Sequence, residues 1–160
     1  MLATDPQADP RRKQATAGDV RLLVAMVKGQ PVAVLYRPVA PGARGEGVPF
    51  SSLLRTIRFD QVEDVSKQVT LARGTETIPA AKGKPETTGP SGNFEFSIPL
   101  AVLGLKPRPG ARIRGDVGVL RGSGIETTQR AYWCNKAAGL VSDIPSEAEL
   151  TPQLWGWIEF

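Results

Sequence analysis

Histidine is absent from the sequence and cysteine occurs once, at Cys134. The first absence excludes a Ser-His-Asp or Cys-His nucleophile system, a histidine general base, and every zinc site that relies on imidazole ligands. The second excludes an internal disulfide. Cys134 has no His partner and no acidic neighbour in sequence, so it reads as an inert thiol. No apolar run approaches the ~18 residues of a membrane span. Met1 to Pro10 has neither a positively charged start nor an apolar stretch, and no signal peptide is read there. Basic clusters are also scarce. Against 16 Asp and Glu stand 20 Lys and Arg, a net charge of +4, but Arg11-Arg12-Lys13 is the only run of three. A nucleic-acid partner calls for cations gathered on one face or interleaved with aromatics, so none is expected.

What is present suffices for a folded domain. A chain of 160 residues, 41% of them hydrophobic, can bury roughly 70% of its unfolded surface in one core. Its 17 Gly and 14 Pro exceed ordinary usage but stay below the ~25–30% that marks low-complexity chains. Many turns are expected. Residues 1–19, with the Asp5-Pro6 and Asp9-Pro10 steps, read as an N-terminal arm or loop. Val20 to Val27 and Val32 to Val39, joined across Lys28-Gly29-Gln30, read as a hairpin. Pro41 to Pro49 is a Gly-rich loop. Arg55 to Gln61 alternates as a half-buried strand does, and Val65 to Leu71 is a weaker strand candidate. Ala80 to Gly92 holds three Gly and two Pro without a large apolar residue, and reads as a flexible insertion at about 80–92.

The cleanest period of two follows. Phe94, Phe96, Ile98 and Leu100 alternate with polar residues and Pro99, predicting a strand with one apolar face. Pro99 then opens a short helical turn that Gly104 stops. Ile113, Gly115, Val117 and Val119 predict one further strand, with Asp116 on its polar face. Arg121-Gly122-Ser123-Gly124 is a hairpin turn and Thr127 to Asn135 the next strand. Ser146-Glu147-Ala148-Glu149 fits a capping box, Thr151-Pro152 a second cap, and Trp155 to Phe160 a closing strand. Short strands separated by Gly/Pro loops, with hardly any helix, predict an all-β fold: an antiparallel β-sandwich, jelly-roll or immunoglobulin-like in outline, forming one domain over residues 20–160.

Without histidine, catalysis would fall to carboxylates. Asp60, Glu63, Asp64, Glu95, Asp116, Glu126, Asp143, Glu147, Glu149 and Glu159 are the candidates, and a glycosidase needs two of them roughly 5–10 Å apart across a cleft. Solvated strand and loop charges explain them more simply. The tryptophans say more. Trp133, Trp155 and Trp157 all fall in the last 28 residues. A sugar ring offers an apolar CH face and a hydroxyl rim, which suit a flat aromatic beside amides and guanidinium groups. Trp133, with Arg130, Tyr132 and Asn135 around it, has those neighbours, and Trp157 is a second candidate. Trp155 follows a cap and reads as core.

The segment from Asn93 (NFEFSIPLAVLGLKPRPGARIRGDVGVL) combines an alternating strand, Ile-Pro, a turn ending Leu-Gly-Leu and Pro-Gly before a strand. With Tyr132-Trp133-Cys134-Asn135 and Trp155-Gly156 after it, it resembles the carbohydrate-binding module family 9-like, or DOMON-like, domains. The resemblance covers residues 93–160 well and 18–72 loosely. It implies a β-sandwich that binds plant-type glycans such as xylan or cellulose, with calcium supporting loops in some members. It also implies an extracellular, cell-surface or periplasmic location in a larger bacterial protein of polysaccharide catabolism, often attached to glycoside hydrolases. Trp133 is the position it carries over as a sugar platform. The family's opening Ile-Asp-Gly segment is missing, and no Trp precedes residue 133, so a second clamp residue would have to be Tyr36 or Phe50. The expected function is a non-catalytic carbohydrate-binding module whose partners are a polysaccharide and other domains of its chain. The alternative is a structural or protein-interaction sandwich that has lost sugar binding, and a carboxylate-only glycosidase is a third class.

Overall fold

A computed structural model describes residues 1–80, 82, 85–136 and 143–160, with the backbone alone at 90–92. In chain order the strands are β1 (Leu2–Ala3), β2 (Asp19–Val27), β3 (Gln30–Arg37), β4 (Val48–Ser51), β5 (Thr56–Phe59), β6 (Gln61–Asp64), β7 (Thr70–Ile78), β8 (Thr87–Ser97), β9 (Arg112–Gly115), β10 (Gly118–Gly122), β11 (Thr127–Tyr132) and β12 (Gly156–Glu159). Two short helices, α1 (Leu100–Leu103) and α2 (Ile144–Ala148), and 3₁₀ turns at Ser66–Gln68 and Pro152–Leu154 complete the described elements. The fold is all-β and sandwich-like, as the strand pattern predicts.

Its centre is a six-stranded sheet in the order β12-β9-β1-β2-β3-β6, with every pairing antiparallel. The hairpin β2–β3 turns through Lys28 (φ 49°) and Gly29 (φ 77°). Two consecutive positive φ values define the tight turn whose twist matches the strands, and the glycine makes it cheap. Alternation then sorts the side chains onto two faces. On one, Val20, Ala33, Leu35 and Ile113 pack with Val65, Val69, Leu103 and Leu105. On the other, Ala3 and Tyr36 meet Phe59, Ala148, Leu150 and Trp155. The rings of Tyr36, Phe50 and Phe59 lie 5.2–5.8 Å apart in tilted and edge-on contacts. Phe59, Leu35 and Val20 are fully buried, each worth about 1.5–3 kcal/mol relative to exposure.

Several sequence expectations change. The first 19 residues are not only an arm: Leu2 and Ala3 form a strand inside the central sheet, between β9 and β2. The loop after them is tied by Arg12, whose guanidinium pairs with buried Asp19. Only the tip of the expected insertion at 80–92 lies between strands, because Thr87 to Gly92 belong to β8 and pair with β7 through Thr75↔Pro90 and Ile78↔Thr87. The register shifts between Arg73 and Thr75, beside the proline, which has no amide proton for the ladder. Positions 81, 83 and 84 of that stretch lie outside the described residues. The apolar face predicted for β8 is half in solvent, with Phe94 52% and Phe96 54% exposed. Asp60 divides Arg55 to Gln61 into β5 and β6, and Asp116 divides the strand predicted across Ile113 to Val119 into β9 and β10. Val65 to Leu71 forms a 3₁₀ turn leading into β7.

The capping box is also displaced. The cap of α2 is Asp143, whose Oδ2 accepts the Ser146 amide at 3.0 Å, while Glu149 pairs with Arg55. The turn after Thr151 does form, but Thr151 makes no side-chain cap bond. Gly104 ends α1 in the left-handed conformation (φ 79°), as expected.

Candidate functional site

Trp133 sits in the bend directly after β11, 55% exposed. Its own amide donates to the Val117 carbonyl at 2.8 Å, and the Lys136 ammonium donates to its carbonyl at 2.8 Å. A Cβ on Gly156 would collide first with Cys134 Sγ and stand 3.1 and 3.4 Å from the indole rim at Cζ3 and Cη2, so that glycine leaves room for the thiol and the ring to lie against β12. The bend itself is held by a residue that sequence reading placed on a polar strand face. Asp116 is 0% exposed. Its carboxylate accepts the amides of Val117, Cys134 and Asn135, each at 2.9 Å. Its own amide donates to the Met1 carbonyl, and its carbonyl accepts from the Met1 amine, both at 2.8 Å. A buried carboxylate bonded in this way acts as a fixed brace.

The other expected site residues divide between different places. Asn135 is fastened, its amide to Asp116 and its Nδ2 to Thr151 Oγ1 at 3.4 Å. Arg130 and Tyr132, two apart on β11, share the face opposite the one from which Ala131 projects. Arg130 Nη1 donates to the Ser146 carbonyl at 3.0 Å, which ties β11 to α2. Tyr132 lies opposite Gly118 in the β10–β11 register, and its ring occupies the space a Cβ there would need. Of the neighbours expected for the Trp133 indole, Arg130 thus bonds through Nη1 toward the α2 side. Trp157, 45% exposed, carries the guanidinium groups of Arg112 and Arg114 over its ring at 4.9 and 5.2 Å. It is adjacent to Gly156, whose Cβ direction faces Trp133, so strand alternation sends Trp157 to the opposite face of β12. The two exposed tryptophans do not form one clamp. Trp155 is buried, as expected, beneath Arg12.

Most of the candidate carboxylates have structural partners. Asp60 accepts the Ala40 amide, Asp64 the Ser66 amide and Glu147 the Thr127 hydroxyl, at 2.9, 2.9 and 3.0 Å. Glu63 pairs with Arg37 and Glu159 with Arg112. The Ser66 hydroxyl and amide hold the Asp64 carboxyl below its ordinary range, and the Ser146 and Ser52 hydroxyls do so for Asp143. Among the described residues no three acidic or cysteine side chains converge on one point where they could hold a metal ion.

A second feature escaped the sequence reading. Met1, Arg21, Leu22, Leu23, Asp116, Gly118, Leu120 and Tyr132 line a small open cleft of about 50 Å³. Arg21, on β2, is only 7% exposed. Burial pushes its guanidinium below the usual arginine range, and burial with the nearby Arg21 charge lowers the Met1 amine to about 6, against the opposing pull of Asp116. No sequence signal marks Arg21, a single cation within an apolar run.

No protein-family model matches the chain, and neither a curated protein nor a solved structure matches it. The resemblance to family 9 modules thus rests on the residues of the segment from Asn93 onward. Among the described residues, no helix is long and apolar enough to cross a membrane.

Proposed function

We propose that this domain is a non-catalytic carbohydrate-binding module of a larger extracellular protein, with Trp133 as its sugar platform. The observation that carries the reading is the state of that indole: more than half exposed, yet held on a bend whose amides are fixed by Asp116. An aromatic already in solvent needs no rearrangement to meet a ligand, and a fixed one loses little entropy when a sugar ring stacks on it. Plant-type glycans such as xylan or cellulose are the substrate class the resemblance suggests. The test is retention on insoluble xylan and cellulose, with a glycan array beside it. Wild type should be retained, and Trp133→Ala should weaken retention at least about tenfold, the loss of roughly 1.4 kcal/mol of stacking. Equal retention of the two would remove Trp133 from the site, and no retention of wild type would favour a second reading.

That second reading is a protein-interaction sandwich, and a specific observation favours it. Phe94 and Phe96 stand more than half exposed on β8, where Arg73 and Leu71 are their cross-strand partners. Arg73 lies 5.6 Å above the Phe94 ring. Paired exposed aromatics of this kind mark surfaces that another protein covers.

A further inference from the structure

The cleft between β2 and β10 contains a charge for which the described residues supply no full set of hydrogen-bond partners. Arg21 Nη1 is sealed from solvent and bonds to none of them, and the same holds for Nε and Nη2 of Arg130. A buried donor left without an acceptor is costly, and more so when it is charged. The neighbouring groups do not remove the problem. Tyr36 lies under the Arg21 guanidinium at 6.0 Å and offers its ring face to the cation, and Tyr132 forms another wall of the cleft. Glu147 attracts Arg21 from α2, but Arg130 repels it from β11. Asp116, at the end of the cleft, has already given its oxygens to the Val117, Cys134 and Asn135 amides.

We propose that this cleft binds a small oxyanion, a carboxylate, sulfate or phosphate group, on the guanidinium of Arg21. The planar fork of an arginine matches such groups, and a buried cation gains most from an acceptor that also cancels its charge. A neutral hydroxyl would satisfy the N–H and leave the charge standing. The free space of about 50 Å³ in the cleft has room for one small oxyanion in place of a few waters, and excludes a sugar ring or a polymer. The inference is independent of the role given to Trp133, and either can fail without the other.

The test uses the full chain at constant ionic strength, with chloride as the background anion. Phosphate, sulfate, acetate and a monomeric uronic acid are titrated in turn, followed by thermal unfolding and calorimetry. At least one should bind saturably and raise Tm by roughly 5 °C or more at a hundredfold excess over its Kd. The anion that does so distinguishes an inorganic head group from a carboxylate, and the uronic acid, too large for the cleft, should bind no more tightly than acetate. Arg21→Lys keeps the charge but loses the fork and should weaken binding at least tenfold. Arg21→Met should abolish the shift, while Arg112→Gln on the exposed face should leave it unchanged. Should Arg21→Met not fold, the Arg21 Nε–H resonance of the wild type must move during the titration. The proposal is overturned if no anion raises Tm beyond chloride, if Arg112→Gln weakens binding as much as Arg21→Lys does, or if the Arg21 resonance stays still at saturation.

Discussion

Asp116 and Arg21 are buried charges lining one small cleft, and they are treated in opposite ways. Asp116 meets three backbone amides at 2.9 Å, whereas Arg21 Nη1 meets no acceptor among the described residues. Both residues had to be desolvated, so burial alone does not separate them. What separates them is whether the bonds lost to water were replaced. A charge with its bonds replaced stabilises the fold and holds a shape, and in this case the shape is the bend that presents Trp133. A charge with a bond left open destabilises the protein by itself and is retained only where something else completes it. The same cleft therefore holds a brace at one residue and a binding group at another.

The largest expected effect breaks the first half of that contrast. Asp116→Asn keeps the shape but turns an amide nitrogen, a donor, toward amide donors and removes the charge from the remaining bonds. The loss is expected at about 3 kcal/mol or more, since hydrogen bonds to a charged group contribute ~1.5–3 kcal/mol each. Urea denaturation should show the midpoint falling with little change in slope. Because the bend carries Trp133, retention on xylan should fall in the same variant even at temperatures where it remains folded. A variant within about 1 kcal/mol of wild type would show that the three amides find water instead, and that Asp116 is no brace.

Next in size is Gly118→Ala, which acts on the wall the two regions share. The new methyl would fall inside the Tyr132 ring, so the ring or strand β10 must move, at a cost of about 1–3 kcal/mol. The displaced ring would enter the cleft beside Arg21. Anion-dependent stabilisation should therefore be lost while Trp133 fluorescence stays near that of wild type. Loss of both would mean that the cleft and the bend move as one unit.

How much of this could be read from the sequence follows the same division. Period-two patterns, turn glycines and the Lys28-Gly29 step act locally, and they announced the all-β fold, the first hairpin and buried Trp155. The exposure of Trp133 was only half legible, since its polar neighbours in sequence left surface and core readings equally open. What local patterns cannot carry is pairing across the chain. Leu2 and Ala3 become a central strand only because β9 and β2 leave a gap between them. Phe94 and Phe96 have the alternation of a core strand, yet both stand half in solvent among the described elements. Asp116 and Arg21 each resemble an ordinary polar residue among apolar ones, and only the partners that arrive from 18 or more residues away, or fail to arrive, tell them apart.

The smallest effect concerns Asp143, a buried carboxylate that serves as a yardstick for Asp116 because it is bonded mainly by hydroxyls at a helix end. Ser146 and Ser52 hydroxyls hold its carboxyl below the ordinary value of 3.8 in the folded state. A depressed folded value means that the unfolded chain takes up the proton first as pH falls. The stabilisation from the charged cap is therefore complete above about pH 4 and is lost as the pH drops through the folded value. Asp143→Asn retains a cap acceptor, since Asn and Asp are comparable at that position, but it removes the charge. Its Tm should lie slightly below that of wild type at neutral pH, and the two curves should converge on acidification. Asp116→Asn should instead remain well below wild type until the protein itself unfolds, because the lost bonds are buried and shared among three amides. If the Asp143→Asn gap persists unchanged to about pH 2, the serine hydroxyls stabilise the residue's shape and not its charge, and the distinction between a cap and a brace would have to rest on the backbone amides that Asp116 holds.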